Sequence, residues 1–184
     1  MPKRCSWVKM TNPLYVAYHD KEWGKPLHDE RALFELLCLE SYQAGLSWET
    51  VLKKRAAFRV AFHNYDAQKV AAMTDEELYA LLENPAIIRH KAKIYATRKN
   101  AQAFLRVQGE FGSFDRYLWS WVGDKPITNS IPDYREAPSQ TDLSAAISKD
   151  MKKRGFAFVG PVCVYSYLQA AGLVNDHEDA CAWK

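Results

Sequence analysis

Apolar residues recur at three- and four-residue spacing along almost the whole chain. This spacing predicts amphipathic helices, because it places the apolar side chains on one face of a 3.6-residue repeat. No stretch combines sustained apolar–polar alternation with turn dipeptides, so we expect no sheet. The predicted fold class is therefore all-α.

Local signals indicate where several helices begin. Asp29 and Ser47 are predicted N-caps, and T-D-E-E is a capping box with Thr74 at the cap and Glu77 three residues later. Pro85 fits the first position of a helix that includes I-I-R-H-K-A-K-I. Together these signals predict four consecutive helices in the first two thirds of the chain.

The remaining signals divide the C-terminal third. Ser113 or Asp115 begins a short aromatic helix. Residues 123–138 contain Gly123, Pro126, Pro132 and Pro138 and are predicted to form a long connecting loop. Two further helices are expected, one starting at Thr141 or Asp142 and closed by Gly155, the other starting at Pro161 and closed by Gly172.

The size and composition favour a single compact unit. With 184 residues, of which 48% are hydrophobic, the chain can form one domain or two small lobes around a shared core. No apolar run is long enough to span a bilayer, and M-P-K-R-C-S-W is not a secretory signal. We therefore expect a cytoplasmic protein with no membrane partner, present as a monomer.

Basic residues are unevenly distributed, although the net charge is only +3. Residues 84–109 contain six lysines and arginines and no acidic residue, and further basic clusters lie at residues 53–59 and 152–154. Each cluster alone is typical of a solvated helix face. Together they favour a polyanionic partner such as nucleic acid.

Four cysteines in a cytosolic chain argue against a disulfide framework. Cys38 and Cys163 have apolar neighbours and are predicted to be packed thiols. Cys5 and Cys181 lie in polar segments near opposite ends of the chain. They therefore need another explanation.

A metal site is one explanation for these two cysteines. His177 and Cys181 are four residues apart, a spacing that places both on one side of a helical turn. Cys5 and His19, in a segment that looks irregular and is interrupted by Pro13, would complete a Cys2His2 set for structural zinc. The separation does not match a zinc finger, so an idle thiol and a surface histidine remain the alternative.

Aromatic residues are concentrated near the N-terminus, at Trp7, Tyr15, Tyr18 and Trp23. Core packing is the usual role of such residues, but Y-H-D-K-E-W-G is polar and ends in glycine, so they could instead line a pocket for a flat ligand. Glu40 follows the apolar run F-E-L-L-C-L. Its carboxylate is either a solvated helix end or a hydrogen-bond acceptor in that pocket.

Several long motifs resemble one family. The motifs Y-H-D-K-E-W-G, L-E-S-Y-Q-A-G-L-S-W-E-T-V-L-K-K-R, I-I-R-H-K-A-K-I, K-K-R-G-F-A-F-V-G-P-V and Y-S-Y-L-Q-A-A-G-L-V-N-D-H are similar to those of DNA-3-methyladenine glycosylase I. The resemblance extends over nearly the whole chain. It implies a helix-hairpin-helix glycosylase fold, with a hairpin lobe at about 47–112 and a terminal lobe formed by 1–46 and 113–184.

The resemblance also assigns residues. One structural Zn²⁺ would join the termini through Cys5, His19, His177 and Cys181. The substrate-binding residues would be Tyr18, Glu40, Trp48, Trp7, Trp23 and Ser166, with Glu40 also the catalytic candidate. The enzyme would flip 3-methyladenine out of alkylated duplex DNA, hydrolyse its N-glycosidic bond and release the free base. Because neither the family's pattern nor this chain indicates a lysine nucleophile, no strand cleavage is expected.

Contacts with DNA are predicted from residue type and position. Arg89, Lys91 and Lys93 are expected to bind phosphates, and Leu46 to fill the gap left by the flipped base, although ordinary packing is the alternative for Leu46. Two other readings stay open: a zinc-stabilised DNA-binding module without catalysis, and a glycosylase for another alkylated purine such as 3-methylguanine. An aromatic pocket containing Glu40 would argue against the first.

Overall fold

The computed structural model describes residues 2–184, and these form nine α-helices, three short 3-10 helices and two short strands. The prediction of a mainly helical chain is confirmed. The α-helices are α1 (Pro13–Lys21), α2 (Glu30–Tyr42), α3 (Trp48–Ala61), α4 (Ala67–Ala71), α5 (Asp75–Ala80), α6 (Lys91–Phe111), α7 (Phe114–Ser120), α8 (Asp142–Lys153) and α9 (Pro161–Ala170). The 3-10 helices are His63–Tyr65, Leu81–Glu83 and Tyr134–Glu136, and the strands are β1 (Ile127–Thr128) and β2 (Val174–Asn175).

Helix α2 lies at the centre of the fold. Its residues 33–42 are all buried, and it packs against α6 and α7 as well as against α9. Phe34 lies in edge and tilted contact with Tyr65 and Phe104, so the core is continuous from α2 to the α4–α6 region. The last turn of α2, which carries Glu40, is therefore held within the packed core.

Most predicted helix starts are confirmed. The side chains of Asp29, Ser47 and Thr141 accept backbone N–H groups at the starts of α2, α3 and α8, and Ser113 does so for α7. The predicted capping box before α5 is also present. These short polar signals act over three residues, which is why the sequence reveals them.

Two predictions in the hairpin and the N-terminal segment are wrong. Pro85 does not start a helix; it follows Asn84, whose side chain accepts the Ala86 N–H in a turn, and α6 begins only after His90. The segment around Pro13 is not irregular, because Asn12 caps α1 and Pro13 occupies its first turn. Proline therefore begins a helix at Pro13 but lies in a turn at Pro85.

The prediction of no sheet is also wrong, because a two-stranded sheet is present, although each strand has only two residues. β1 pairs in parallel with β2, with Ile127 opposite Val174. Two residues are too few to show alternation in the sequence. The pair joins the 123–138 loop to the C-terminal tail, which continues as turns and not as a helix at His177 and Cys181.

Among residues 2–184, none of the helices combines the length and the apolar character that crossing a bilayer requires.

Candidate active site

An aromatic cavity of about 180 Å³ opens beside the last turn of α2. It lies between this turn, helix α1 with the segment that follows it, the start of α3 and one face of α9. The predicted substrate-binding residues all line it. Its lining is Trp7, Tyr15, Tyr18, Trp23, Glu40, Gln43, Trp48, Tyr134, Ser166 and Gln169.

Helix α1 and the turn after it position the first aromatic side chains. Tyr18 lies in the last turn of α1 and is buried, and its carbonyl oxygen accepts the N–H groups of Glu22 and Trp23. Gly24 then takes a φ of +77°, and a Cβ there would lie 2.8 Å from the Nε2 atom of His177. Only glycine adopts this positive φ without strain and has no Cβ to collide with His177, so Gly24 lets the chain pass close to the C-terminal tail.

The aromatic rings form a tight group around the cavity. Ring centroids lie 5.0 Å apart for Trp7 and Trp23, 5.7 Å for Trp7 and Tyr15, and 5.3 Å for Tyr18 and Trp48. These separations are typical of edge-to-face and tilted aromatic pairs. The walls are therefore held in place by each other and present ring faces and edges to a flat molecule.

Glu40 supplies the one carboxyl group of the cavity lining. Its side chain is 5% exposed, and burial raises its pKa to about 8. Three buried side-chain atoms of the described residues have no hydrogen-bond partner: Oε2 of Glu40, Nε1 of Trp7 and Nε1 of Trp48. All three residues line this cavity. Since buried polar groups are normally paired, a carboxyl oxygen and two indole N–H donors here point to a polar, flat ligand.

The predicted metal ligands converge on one point. The four candidate ligand atoms of Cys5, His19, His177 and Cys181 lie within 4.8 Å of one another, and all four residues are buried. Sulfur–nitrogen distances within the cluster are 3.3 Å for Cys5 Sγ to His177 Nδ1 and 3.5 Å for Cys181 Sγ to either histidine. A tetrahedral zinc site places sulfur and nitrogen ligands about 3.6 Å apart.

Hydrogen bonds outside the cluster orient both imidazole rings. The Nδ1–H of His19 can donate to Asp20 at 2.8 Å, and the Nε2–H of His177 to the carbonyl oxygen of Trp23 at 3.1 Å. Each ring then directs its other nitrogen lone pair into the cluster, as histidine ligands of metals do. The Glu178 N–H lies 3.4 Å from Cys5 Sγ and can stabilise a thiolate there. The residues present therefore fit a bound metal ion.

The metal cluster and the cavity share a wall. His177 packs edge-on against Trp23 with ring centroids 4.7 Å apart, and His19 packs against Trp7 at 5.3 Å. Glu178 reinforces this contact, because its carboxylate accepts from the backbone N–H groups of Ser6 and Tyr134. The tail thus supports the aromatic wall from behind, while its own metal ligands lie outside the cavity lining.

A second cavity, of about 440 Å³, adjoins the first and shares Glu40, Gln43 and Ser166 with it. Its rim consists of residues 43–46 on one side and the start of α9 on the other. Leu46, at the tip of the 43–46 segment, is 39% exposed, and Val162 across the opening is 51% exposed. Two solvated apolar side chains therefore flank the entrance that leads to Glu40.

The basic residues do not all face solvent. Arg89 and Lys91 are exposed and form no ion pair with the described residues. In the 53–59 cluster, Arg55 pairs with Glu22 and Glu35, and its charge is thereby neutralised. The sequence overstates the free positive charge, since it does not show which acidic residues lie opposite.

Two further basic residues differ from their sequence-based expectation. Arg154, in the third basic cluster, pairs with Glu110 and Asp150. Lys93, expected on the phosphate-binding surface, is only 6% exposed. Its ammonium group donates to the carbonyl oxygens of Tyr42 and Ala44, so the structure does not place it on that surface.

Three cavity residues were not predicted: Gln43, Tyr134 and Gln169. Tyr134 comes from the 123–138 loop. The centroid of its ring lies 6.0 Å from that of Trp23. A tyrosine between two prolines is a weak signal by itself. Gln169 would have been harder to find, because it lies on α9 among apolar core residues and its amide donates to the buried Asp176.

Comparison with known proteins identifies the family of this chain. The model of the methyladenine glycosylase family matches residues 7–184. The DNA-3-methyladenine glycosylase of Haemophilus influenzae is 48% identical over 184 residues, covering 100% of this chain and 99% of that protein. DNA-3-methyladenine glycosylase 1 of Escherichia coli is 49% identical over 97% of this chain and 95% of its own length.

A solved structure agrees with this assignment. A tyrosine-to-phenylalanine variant of 3-methyladenine DNA glycosylase I, in complex with 3-methyladenine, has a TM-score of 0.95 and 41% identity, covering 98% of this chain and 97% of that one. The fold, the full-length identity and the family match are mutually consistent. The chain therefore belongs to the methyladenine glycosylase family of hydrolytic N-glycosylases.

Proposed function

We propose that this protein is a DNA repair enzyme that flips 3-methyladenine out of alkylated duplex DNA and hydrolyses its N-glycosidic bond, leaving an abasic site. One observation carries the proposal: the three unpartnered buried atoms of Glu40, Trp7 and Trp48 surround a single aromatic cavity. A base inside a duplex cannot reach such a cavity, so the nucleotide must leave the stack.

The chemistry of the lesion matches the lining. 3-Methyladenine attached to deoxyribose carries a positive charge, and a cation over an aromatic face gains roughly 0.5–2 kcal/mol. Stacking of the base contributes roughly a further 1–3 kcal/mol. An ionised Glu40 would accept a hydrogen bond from the exocyclic amine and offset the positive charge. Neutral adenine lacks the charge, so it would gain less from Glu40 and from the rings.

The same charge makes hydrolysis easier. A cationic purine is a good leaving group, so breaking its bond to the sugar needs little acid catalysis from the protein. Glu40 can favour the reaction by binding the base and by facing the positive charge that shifts towards the sugar. Among the described residues, no lysine lines the aromatic cavity, which supports hydrolysis by water without a covalent intermediate.

The two alternative functions are weaker. A DNA-binding module without catalysis would not need an aromatic cavity with an unpartnered carboxyl oxygen. A preference for another alkylated purine, such as 3-methylguanine, would place a carbonyl oxygen where adenine has its amine. That oxygen would face the acceptor Glu40 and would lose the proposed hydrogen bond.

We also propose that Cys5, His19, His177 and Cys181 hold one structural Zn²⁺. Four protein ligands would complete a tetrahedral shell and leave no position for water, so the ion would supply folding free energy and no reactive group. These four residues come from both ends of the chain. A backbone hydrogen bond from the Ala182 N–H to the Lys3 carbonyl oxygen links the two ends a second time. The tail would thereby fix the wall formed by Trp7 and Trp23.

For DNA we propose that residues 47–112 form the lobe that holds the backbone, and that 1–46 and 113–184 form the lobe that carries the cavity. Arg89 lies on the exposed turn before α6, and Lys91 is the first residue of α6. Both would bind phosphates without recognising the base sequence. Leu46 would occupy the gap left by the flipped nucleotide.

Replacing Leu46 by alanine tests the proposed wedge. A wedge contacts DNA only where a base has left the stack, so L46A is expected to weaken binding to abasic duplex about tenfold, with little change for intact duplex. Fluorescence anisotropy with the two duplexes measures both affinities. Leu14→Ala is a matched control, because Leu14 is 45% exposed and lies outside both cavities. Equal losses on the two duplexes would refute the wedge.

The reaction products test the proposed function itself. Methylated duplex DNA incubated with the protein should release 3-methyladenine, identified by mass spectrometry, and the DNA strand should stay intact. Borohydride added during the reaction should trap no protein–DNA adduct, because no amine nucleophile is involved. Absence of released base would exclude the glycosylase function, and a trapped adduct would show a lyase step.

A further inference from the structure

Lys93 has an unusual position for a lysine in a basic segment. It lies in the first turn of α6, and its side chain is almost completely buried. Its Nζ donates to the carbonyl oxygen of Tyr42 at 2.9 Å and to that of Ala44 at 2.6 Å. Burial lowers the pKa of Lys93, yet the two carbonyl oxygens are partners that an ammonium group satisfies well.

The two carbonyl groups belong to the end of one element and the start of the next. Tyr42 is the last residue of α2, whose terminal carbonyl groups have no partner within the helix. A cation at this end also complements the helix dipole. Ala44 lies in the wedge loop, which we define as residues 43–47. Lys93 therefore closes the C-terminus of α2 and holds the loop that follows it.

The wedge loop has few other internal restraints. The Leu46 N–H donates to the Gln43 carbonyl oxygen at 2.7 Å, and Gly45 takes a φ of +77° with nothing within 4 Å of where a Cβ would be. Ser47 then caps α3. Leu46 thus projects from a tight turn in which residues 44–47 are exposed. The Lys93 contact at Ala44 ties this exposed turn to the start of α6.

The other side of Lys93 belongs to the hairpin, which we define as residues 84–90. The Lys93 N–H donates to the side chain of His90, the last hairpin residue. One turn along α6, the Thr97 hydroxyl donates to the Lys93 carbonyl oxygen and also contacts the Tyr42 hydroxyl at 2.9 Å. The start of α6 therefore joins the hairpin and the end of α2 in one hydrogen-bonded unit.

We propose that Lys93 is a positioning residue that fixes the wedge loop relative to the hairpin, so that Leu46 enters the duplex at a set distance from the phosphates that the hairpin binds. This inference rests on the proposed function. It assigns Lys93 no contact with substrate. A displacement of about 1 Å in such an arrangement can cost on the order of a hundredfold in rate.

The experiment compares duplex with single-stranded methylated DNA, because an unpaired base reaches the cavity without a wedge. Lys93→Met keeps the side-chain length and removes the ammonium group. Its single-turnover excision rate on duplex should fall about tenfold to a hundredfold, and its rate on single strands should change less than about twofold. Lys93→Arg should restore much of the duplex rate, since it keeps a buried donor.

Lys69→Met is the matched control, since it removes the same charge from an exposed position on α4. It should leave both rates unchanged. Equal losses of Lys93→Met on both substrates, or no loss on duplex, would overturn the inference. If Lys93→Met does not fold, as judged by circular dichroism, Lys93→Gln takes its place and is scored in the same way. A wild-type protein that excises no base would instead refute the proposed function.

Discussion

Glu40→Gln is expected to lower kcat/KM for excision of 3-methyladenine by a hundredfold or more, which corresponds to about 3 kcal/mol or more. The amide has the same shape but carries no charge, so it removes the attraction between an ionised Glu40 and the cationic base. Loss of a charged hydrogen bond alone costs roughly 1.5–3 kcal/mol. Affinity for unmodified duplex should stay the same, because Glu40 is buried inside the cavity and not at the surface.

Folding should not explain that loss. Because burial raises the pKa of Glu40 to about 8, ionisation opposes folding as the pH rises from the ordinary carboxyl range towards 8. The neutral amide avoids this cost, so the variant should unfold at the same temperature as the wild type near pH 4, at a higher one at pH 6, and at a still higher one at pH 8. Glu76→Gln, an exposed change on α5, is the matched control. Excision at the wild-type rate by Glu40→Gln would remove Glu40 from the active site.

Cys181→Ser is expected to have the largest effect on stability. A serine hydroxyl is a poor zinc ligand, so bound zinc should fall from about one ion per chain towards zero. The ends of the chain would then lose the link between Cys5 and the tail. We expect the free energy of unfolding to fall by about 3 kcal/mol or more, which lowers the unfolding temperature by roughly 6–12 °C for a chain of this size.

Atomic absorption and thermal unfolding measure these two quantities. Cys163→Ser is the matched control, because Cys163 is only partly buried and lies outside the metal cluster. Excision should decline in Cys181→Ser only as a consequence of the lost stability and of the loosened wall at Trp7 and Trp23, since the ligands themselves lie outside the cavity lining. A variant that loses zinc but keeps full stability would contradict a structural role. Loss of catalysis in a folded, zinc-loaded variant would contradict the separation of metal and cavity.

The sequence predicts those parts of the fold that depend on short-range signals. Ser47 and Asp29 cap helices by bonding to a backbone group three residues away, and their residue types alone indicate it. The turn at Pro85 could not be predicted in this way. Its conformation depends on the Asn84 side chain and on the Lys54 ammonium, which lies 3.3 Å from the Ala86 carbonyl oxygen and is far away in sequence.

The candidate site shows the same division between local and long-range information. The aromatic segment at residues 7–23 is evident from its composition, and the family resemblance brings Glu40 and Trp48 to it. What the sequence does not show is burial. Lys93 and Arg89 look equivalent in the chain, yet one lies under the wedge loop and the other is exposed. That difference arises from where α2 ends relative to α6, which is decided by packing of the whole core.

The central claim is that an ionised, buried Glu40 recognises the positive charge of the damaged base. The pH dependence of kcat/KM for excision, measured from pH 6 to 9.5, tests it most directly, because this quantity reports the ionisation of the free enzyme. The wild-type value should rise about tenfold per pH unit and level off near pH 8, the pKa of Glu40, while Glu40→Gln should show a flat profile. A flat wild-type profile, or the same rise in both proteins, would contradict the claim.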